Sequence, residues 1–213
     1  MKIAIIGAAG NIGQRITNEA LQRNHEVTAI VRNPEKVKIT NANLKVVKGD
    51  VDDTKTLAEQ LKGFDAVVSS IGPPHDGSVP ASVINVAARS VLEAFKESGA
   101  KRLLVVGGAG SLKIPTGEDL VDTPSFPAIY KEVALHHREV LKEIRKSDAN
   151  WTYFSPAGLI LPGERTGKFR VDTENLVIDD KGESFISIED YAVAMIDEIE
   201  NPKFERNRFT AGY

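Results

Sequence analysis

The chain predicts an α/β fold: a doubly wound parallel sheet in three layers, α-β-α, with a small C-terminal substrate-side extension. Short β-branched apolar runs alternate with stretches of helical period along most of the sequence. The first of these runs feeds directly into a glycine-rich turn that opens a helix. The runs are apolar throughout rather than alternating, which is the pattern of strands buried on both faces.

Taken in order, Lys2 to Ile6 is the first strand, followed by a helix from about Asn11 to Asn24 with Ile12, Ile16, Ala20 and Leu21 on one face. Glu26 to Val31 is the second strand, stopped by Asn33-Pro34, and Leu44 to Val47 is the third, ending at Gly49-Asp50. Thr54 is placed to cap a helix carrying Leu57 and Leu61, and Ala66 to Ser69 makes a fourth strand. After the loop Gly72-Pro73-Pro74-His75-Asp76-Gly77, a long helix runs through Val83, Ala87, Val91 and Phe95 to Gly99. Arg102 to Val106 is the fifth strand, Tyr130 to Ser147 a helix, and Trp151 to Ser155 the sixth strand. The stretch from Gly158 to Gly182 is looser, with room for a short hairpin. Ser187 then caps a helix from Glu189 to Ile199, before a last strand near Arg208 to Ala211. No repeat, low-complexity tract or linker interrupts the series. The expectation is one domain over 1–213, with substrate-side loops mainly in 72–80, 108–128 and 156–186.

Composition narrows the functional classes. A chain of 213 residues with 41% apolar and 27% charged content suits one ordinary globular core. A net charge of −3 lacks the basic footprint of nucleic-acid binding. The absence of cysteine excludes disulfides and thiolate metal sites. The histidines are scattered without ligand spacing, so no metal is expected. Asp52 and Asp53 read as a turn and helix-cap cluster. The apolar stretch after Met1-Lys2 is too short for a signal core or a membrane span, and the expected setting is cytoplasmic, with no membrane partner. The helices from Val79 to Ser98 and from Tyr130 to Ser147 could pair between subunits, and the oligomeric state stays open.

Gly7-Ala8-Ala9-Gly10-Asn11-Ile12-Gly13 has the spacing Gly-x-x-Gly-x-x-Gly after a strand and before a helix. That context gives the pattern its meaning as a Rossmann-type dinucleotide site. Gly7 permits the tight turn, Gly10 lets the backbone approach a pyrophosphate, and Gly13 lets the helix pack close to the strand. The amides opening the helix add donors and positive potential for phosphate. NAD-binding domains usually end the second strand with an acid that holds the ribose 2′-hydroxyl. Here Arg32 takes that place, and a guanidinium pairs with a 2′-phosphate. NADP is therefore expected ahead of NAD, with Lys36 a weaker second contact. Asp50 is a candidate for the adenine amino group, or equally for its own turn.

The ordered series of segments resembles the atypical short-chain dehydrogenase/reductase superfamily, in particular its NAD(P)H-binding, NmrA-like branch that includes biliverdin reductase B and flavin reductase-like proteins. The segments that carry the likeness are Ile5 to Gly13, Val31-Arg32-Asn33-Pro34, Gly49-Asp50-Val51, Val67 to Gly72, Val105 to Ser111, Trp151 to Gly158 and Ile186 to Ala192. The resemblance implies a cofactor lying across the carboxyl ends of the strands, against Val51, Ser70, Ile71 and Gly72. It also implies that Ser111 and Pro156 line the nicotinamide end.

The catalytic pattern of that superfamily breaks here. Its members use a Tyr-x-x-x-Lys pair on the helix after the fifth strand, where the lysine lowers the tyrosine's pKa and the tyrosine moves a proton. Tyr130 stands in the right region, but Ala134 stands four residues on, and Lys131 points elsewhere on the helix. The candidate substitutes are Ser111, Tyr130 and His137, which lies two turns along the same face. The plainer reading of His136-His137 is a wet helix surface, and of Ser111 ordinary loop chemistry. His75 is a polar loop residue near the expected substrate mouth. The expected function is reduction by NADPH of a flavin, quinone or small carbonyl acceptor without the relay. The alternative is a non-catalytic NADP(H)-sensing protein, and the third choice a nucleotide-sugar epimerase or dehydratase.

Overall fold

Residues 1–73 and 78–213 are described by a computed structural model. His75, with the rest of the loop 74–77, lies outside the described residues. In chain order the elements are β1 (Lys2–Ile6), α1 (Asn11–Gln22), β2 (Glu26–Val31), β3 (Leu44–Lys48), α2 (Thr54–Gln60) and β4 (Ala66–Ser69), then α3 (Val83–Ser98) and β5 (Leu103–Val106). The second half adds α4 (Ala128–Ile144), β6 (Trp151–Ser155), β7 (Leu159–Leu161), β8 (Arg170–Asp172), β9 (Phe185–Ser187), α5 (Ile188–Glu200) and β10 (Asn207–Gly212).

The main sheet has the order β3-β2-β1-β4-β5-β6-β10-β8, and all its pairings are parallel except β10 with β8. Its order reverses direction between β1 and β4, which opens the crevice where ligands of such sheets bind. The alternation of β1 divides the core. Ile3 and Ile5 pack with α1 and α5, whereas Ala4 and Ile6 pack with α2, α3 and α4. Both faces of the strand are thus covered, which explains its unbroken apolar run.

Several boundaries differ from expectation for local reasons. Asp53, not Thr54, caps α2, its carboxylate accepting from the Thr56 amide at 3.1 Å. Thr54 instead shares a 2.8 Å hydrogen bond with Ser90 of α3. α1 stops at Gln22 because Asn24 takes a left-handed φ of 61°. The region 158–182 holds no hairpin among the described residues. β7 pairs in parallel with β9, and β8 joins the main sheet through β10, so each strand finds a partner distant in sequence. Ser187 does cap α5, accepting from the Asp190 amide at 2.9 Å.

Candidate functional site

The glycines of the first turn differ in what demands them. Gly7 has a φ of +83°, and a Cβ there would sit 2.3 Å from the Ser70 carbonyl oxygen. A Cβ on Gly13 would come within 2.3 Å of the Gly7 carbonyl oxygen, because α1 starts directly over the end of β1. Gly10 is different: its backbone is extended, and a Cβ would meet nothing nearer than the Gly7 oxygen at 3.4 Å. The fold therefore requires Gly7 and Gly13 but leaves Gly10 open to the outside. Gly10 is also the N-cap of α1, with no side-chain cap and no acid in the first turn. The amides of Asn11, Ile12 and Gly13 thus start the helix without an internal anion, as a phosphate-binding turn requires. Ile12 packs against the α1/α5 core, Asn11 is exposed, and the Ala9 carbonyl accepts from the Gln14 side-chain Nε2 at 2.7 Å.

At the far end of β1's neighbour β2, Arg32 is exposed and forms no hydrogen bond or ion pair with any described residue. Lys36 is exposed in the short turn Pro34–Lys36. Asp50 follows β3; one of its carboxylate oxygens accepts from the Asp52 amide at 3.2 Å, which holds its own turn. The Val51 carbonyl is taken by the Ser90 hydroxyl, so α3 pins this wall from behind. Beyond β4, Ser70 and Ile71 are half-buried, and Gly72 is exposed with open space around its Cα. Pro156 is buried after β6, and its carbonyl accepts from the Thr210 hydroxyl at 3.4 Å. Next to it the Ser155 hydroxyl oxygen is fully buried with no partner among the described residues.

The turn after β5 rests on α4. A Cβ on Gly108 would meet the His137 side chain at 2.8 Å, and one on Gly110 would meet Ala134 Cβ at 2.8 Å. Tyr153, fully buried, lies below: its hydroxyl donates to the His137 carbonyl at 2.9 Å and accepts from the Gly108 amide at 3.3 Å. His137 Nδ1 is 3.3 Å from the same hydroxyl. His137 is thus half-buried beneath the loop, not on a wet surface, whereas His136 bonds Asn85 of α3 at 2.5 Å. Ser111 is nearly buried and accepts from Arg208. Tyr130 is half exposed on the first turn of α4. Ser111 and His137 therefore have separate partners. Sequence reasoning missed Tyr153 and Arg208, and only the placing of an arginine inside a short strand hinted at the latter.

Burial, and secondarily the charge of neighbouring His136, push the His137 imidazole down to about 4. Its unfolded counterpart takes up a proton near 6.5, so between these values the unfolded chain binds more protons. Stability from this group is complete above pH 6.5 and is lost as pH falls toward 4, by about 3 kcal/mol. Urea unfolding at neutral and mildly acid pH should show His137→Gln losing less stability than the wild type over that window.

A family profile described as NAD(P)H-binding matches residues 7–202. The chain belongs to this NAD(P)H-binding family. The matched span contains the glycine turn, the β4 and β5 loops and α5. The chain is similar to a protein of Burkholderia pseudomallei proposed to be exported (45% identity, all of both chains, TM-score 0.90). It is similar to a proposed epimerase of Bacteroides thetaiotaomicron (42% identity, 100% of this chain and 96% of the other, TM-score 0.91). It is also similar to a proposed NADH-flavin reductase of Streptococcus pneumoniae (36% identity, 100% and 99%, TM-score 0.87). The Rossmann-like α/β fold is shared with these structures, and the NAD(P)H-binding family membership covers almost the whole chain. No described helix is long and apolar enough to cross a membrane.

Proposed function

We propose that the protein is an NADPH-dependent reductase that passes hydride to a flavin, quinone or small carbonyl acceptor without a Tyr-x-x-x-Lys relay. Gly7, Gly10 and Gly13 with the uncapped α1 amides would hold the pyrophosphate, and Arg32 the 2′-phosphate. Asp50 and Val51 would flank the adenine, Ser70, Ile71 and Gly72 the nicotinamide ribose, and Pro156 the nicotinamide end. Bound there, the cofactor supplies the hydride. The NADH named for the Streptococcus protein would leave Arg32 without a ligand, and a guanidinium with no ion-pair partner among the described residues supports NADPH here.

One observation carries the choice of acceptor. The position of the relay's lysine is Ala134, buried under Gly110, so a methyl group fills that slot. An acceptor that takes its proton from solvent, as flavins and quinones do, makes no demand on it. Ala134→Lys should accordingly cost about 2–4 kcal/mol, from overpacking and a buried ammonium, without raising ketone reduction above the wild-type rate. A thermal melt and a carbonyl-reduction assay check both halves. The same filled slot argues against the epimerase reading. It does favour one other reading, a protein that senses NADP(H) and turns nothing over. The test is oxidation of NADPH with FMN or menadione, followed at the nicotinamide absorbance band. Turnover above the uncatalysed rate supports the reductase, and tight binding with none moves the assignment to the sensor.

A further inference from the structure

Arg208 lies in β10 beside Phe209 and is 1% exposed. A buried guanidinium is costly unless its donors are met, and a well-packed apolar side chain would often serve stability as well. Its donors go to a particular set of atoms. Nε donates to the Thr173 carbonyl at 3.0 Å, and Nη2 to the Glu174 carboxylate and, at 3.5 Å, to the Glu174 carbonyl. Nη1 donates twice to one residue, to the Ser111 carbonyl at 2.9 Å and to its Oγ at 3.0 Å. Glu174 is the carboxylate partner of Arg208 and is shared with Arg145. The buried cation thus ties the turn after β5 to the segment at Thr173-Glu174.

Ser111 is left in an unusual state. It is 8% exposed, its Oγ already accepts from Arg208, and its own proton has no acceptor among the described residues. Buried hydroxyls ordinarily use both capacities. With the acceptor side spent on a cation, the hydroxyl is oriented, and the adjacent positive charge makes it a stronger donor. It ends the turn Ala109–Ser111 at the carboxyl edge of the sheet, where the nicotinamide end is proposed to lie.

We infer that Arg208 is a positioning residue that makes Ser111 a fixed hydrogen-bond donor to the acceptor atom that gathers negative charge. The inference rests on the reductase reading above. It gives the acceptor a chemical signature: a carbonyl oxygen or an unprotonated ring nitrogen conjugated to the carbon or nitrogen that takes the hydride. The nicotinamide C–H bond breaks and the new bond to hydrogen forms on the acceptor. Two electrons move with it, oxidising NADPH to NADP⁺. The charge that arrives on the acceptor's oxygen or nitrogen is held by the Ser111 O–H and neutralised by a proton from water. Ser111 keeps its own proton throughout.

The test is the single-turnover rate of NADPH oxidation by menadione or FMN in Ser111→Ala, Arg208→Met and the double variant, with the NADPH dissociation constant measured alongside. Each single variant is expected to slow the step about tenfold, the loss of one transition-state donor, with NADPH affinity held within about twofold. The double variant is expected to be no slower than Ser111→Ala. Arg208→Lys should recover part of the rate, and where Arg208→Met does not fold, the lysine variant carries the same cycle. A wild-type rate in Ser111→Ala overturns the inference and leaves the reductase reading in place. So does an Arg208→Lys defect that adds to the Ser111→Ala defect. Absence of turnover in the wild type with every acceptor overturns both.

Discussion

Gly10→Ala is expected to weaken NADPH binding at least tenfold and to leave the fold standing, whereas Gly7→Ala or Gly13→Ala is expected to cost the fold itself. At Gly10 the backbone is extended and the nearest atom to a new Cβ is 3.4 Å away, an ordinary contact. The fold loses only the difference between glycine and alanine as an N-cap, about 1 kcal/mol or less. The ligand loses the close approach of the backbone that its pyrophosphate needs. At Gly7 the methyl would sit 2.3 Å from a backbone carbonyl oxygen at a φ of +83°. Left-handed strain of about 1–2 kcal/mol adds to overpacking of about 1–3 kcal/mol, and neither can relax through a flexible side chain. At Gly13 the clash is again with backbone, at 2.3 Å. Together the strain and overpacking come to about 2–5 kcal/mol, a large share of a domain's whole stability of about 5–15 kcal/mol. Thermal melts paired with fluorescence titration of NADPH separate the two kinds of glycine.

Arg32→Glu is expected to lower NADPH affinity about hundredfold while leaving NADH affinity unchanged or slightly raised. The guanidinium is exposed at the end of β2 and has no ion-pair partner among the described residues, so removing it breaks nothing in the fold. A charge-assisted pair with a 2′-phosphate contributes about 1.5–3 kcal/mol, a factor of about ten to a hundred, and the new carboxylate adds repulsion. Exposed charges are screened, so the selectivity should shrink as salt is raised. Titrations with both nucleotides at low and high ionic strength read the effect directly.

The strands that build the crevice were readable from sequence because burial on both faces writes itself as unbroken β-branched runs, as in Lys2–Ile6 and Glu26–Val31. The glycine turn was readable because a backbone clash admits no other residue at Gly7 or Gly13. What escaped was set by tertiary pairing. β7 and β9 are three-residue strands that pair with each other across more than twenty residues, and no local pattern announces such a partner. His137 looked wet because its neighbours Arg138 and Glu139 are charged, yet it is covered by Gly108 and Tyr153, which come from elsewhere in the chain. Arg208 was read only as part of a final strand, since its value lies in Ser111, far from it in sequence.

The most direct test of the account is a crystal structure of the complex with NADPH. The pyrophosphate is expected against Gly10 and the first amides of α1, the 2′-phosphate paired with Arg32, and the nicotinamide beside Pro156 and the Ser111 turn. A nucleotide bound away from Gly10, or a 2′-phosphate turned from Arg32 into solvent, would contradict it.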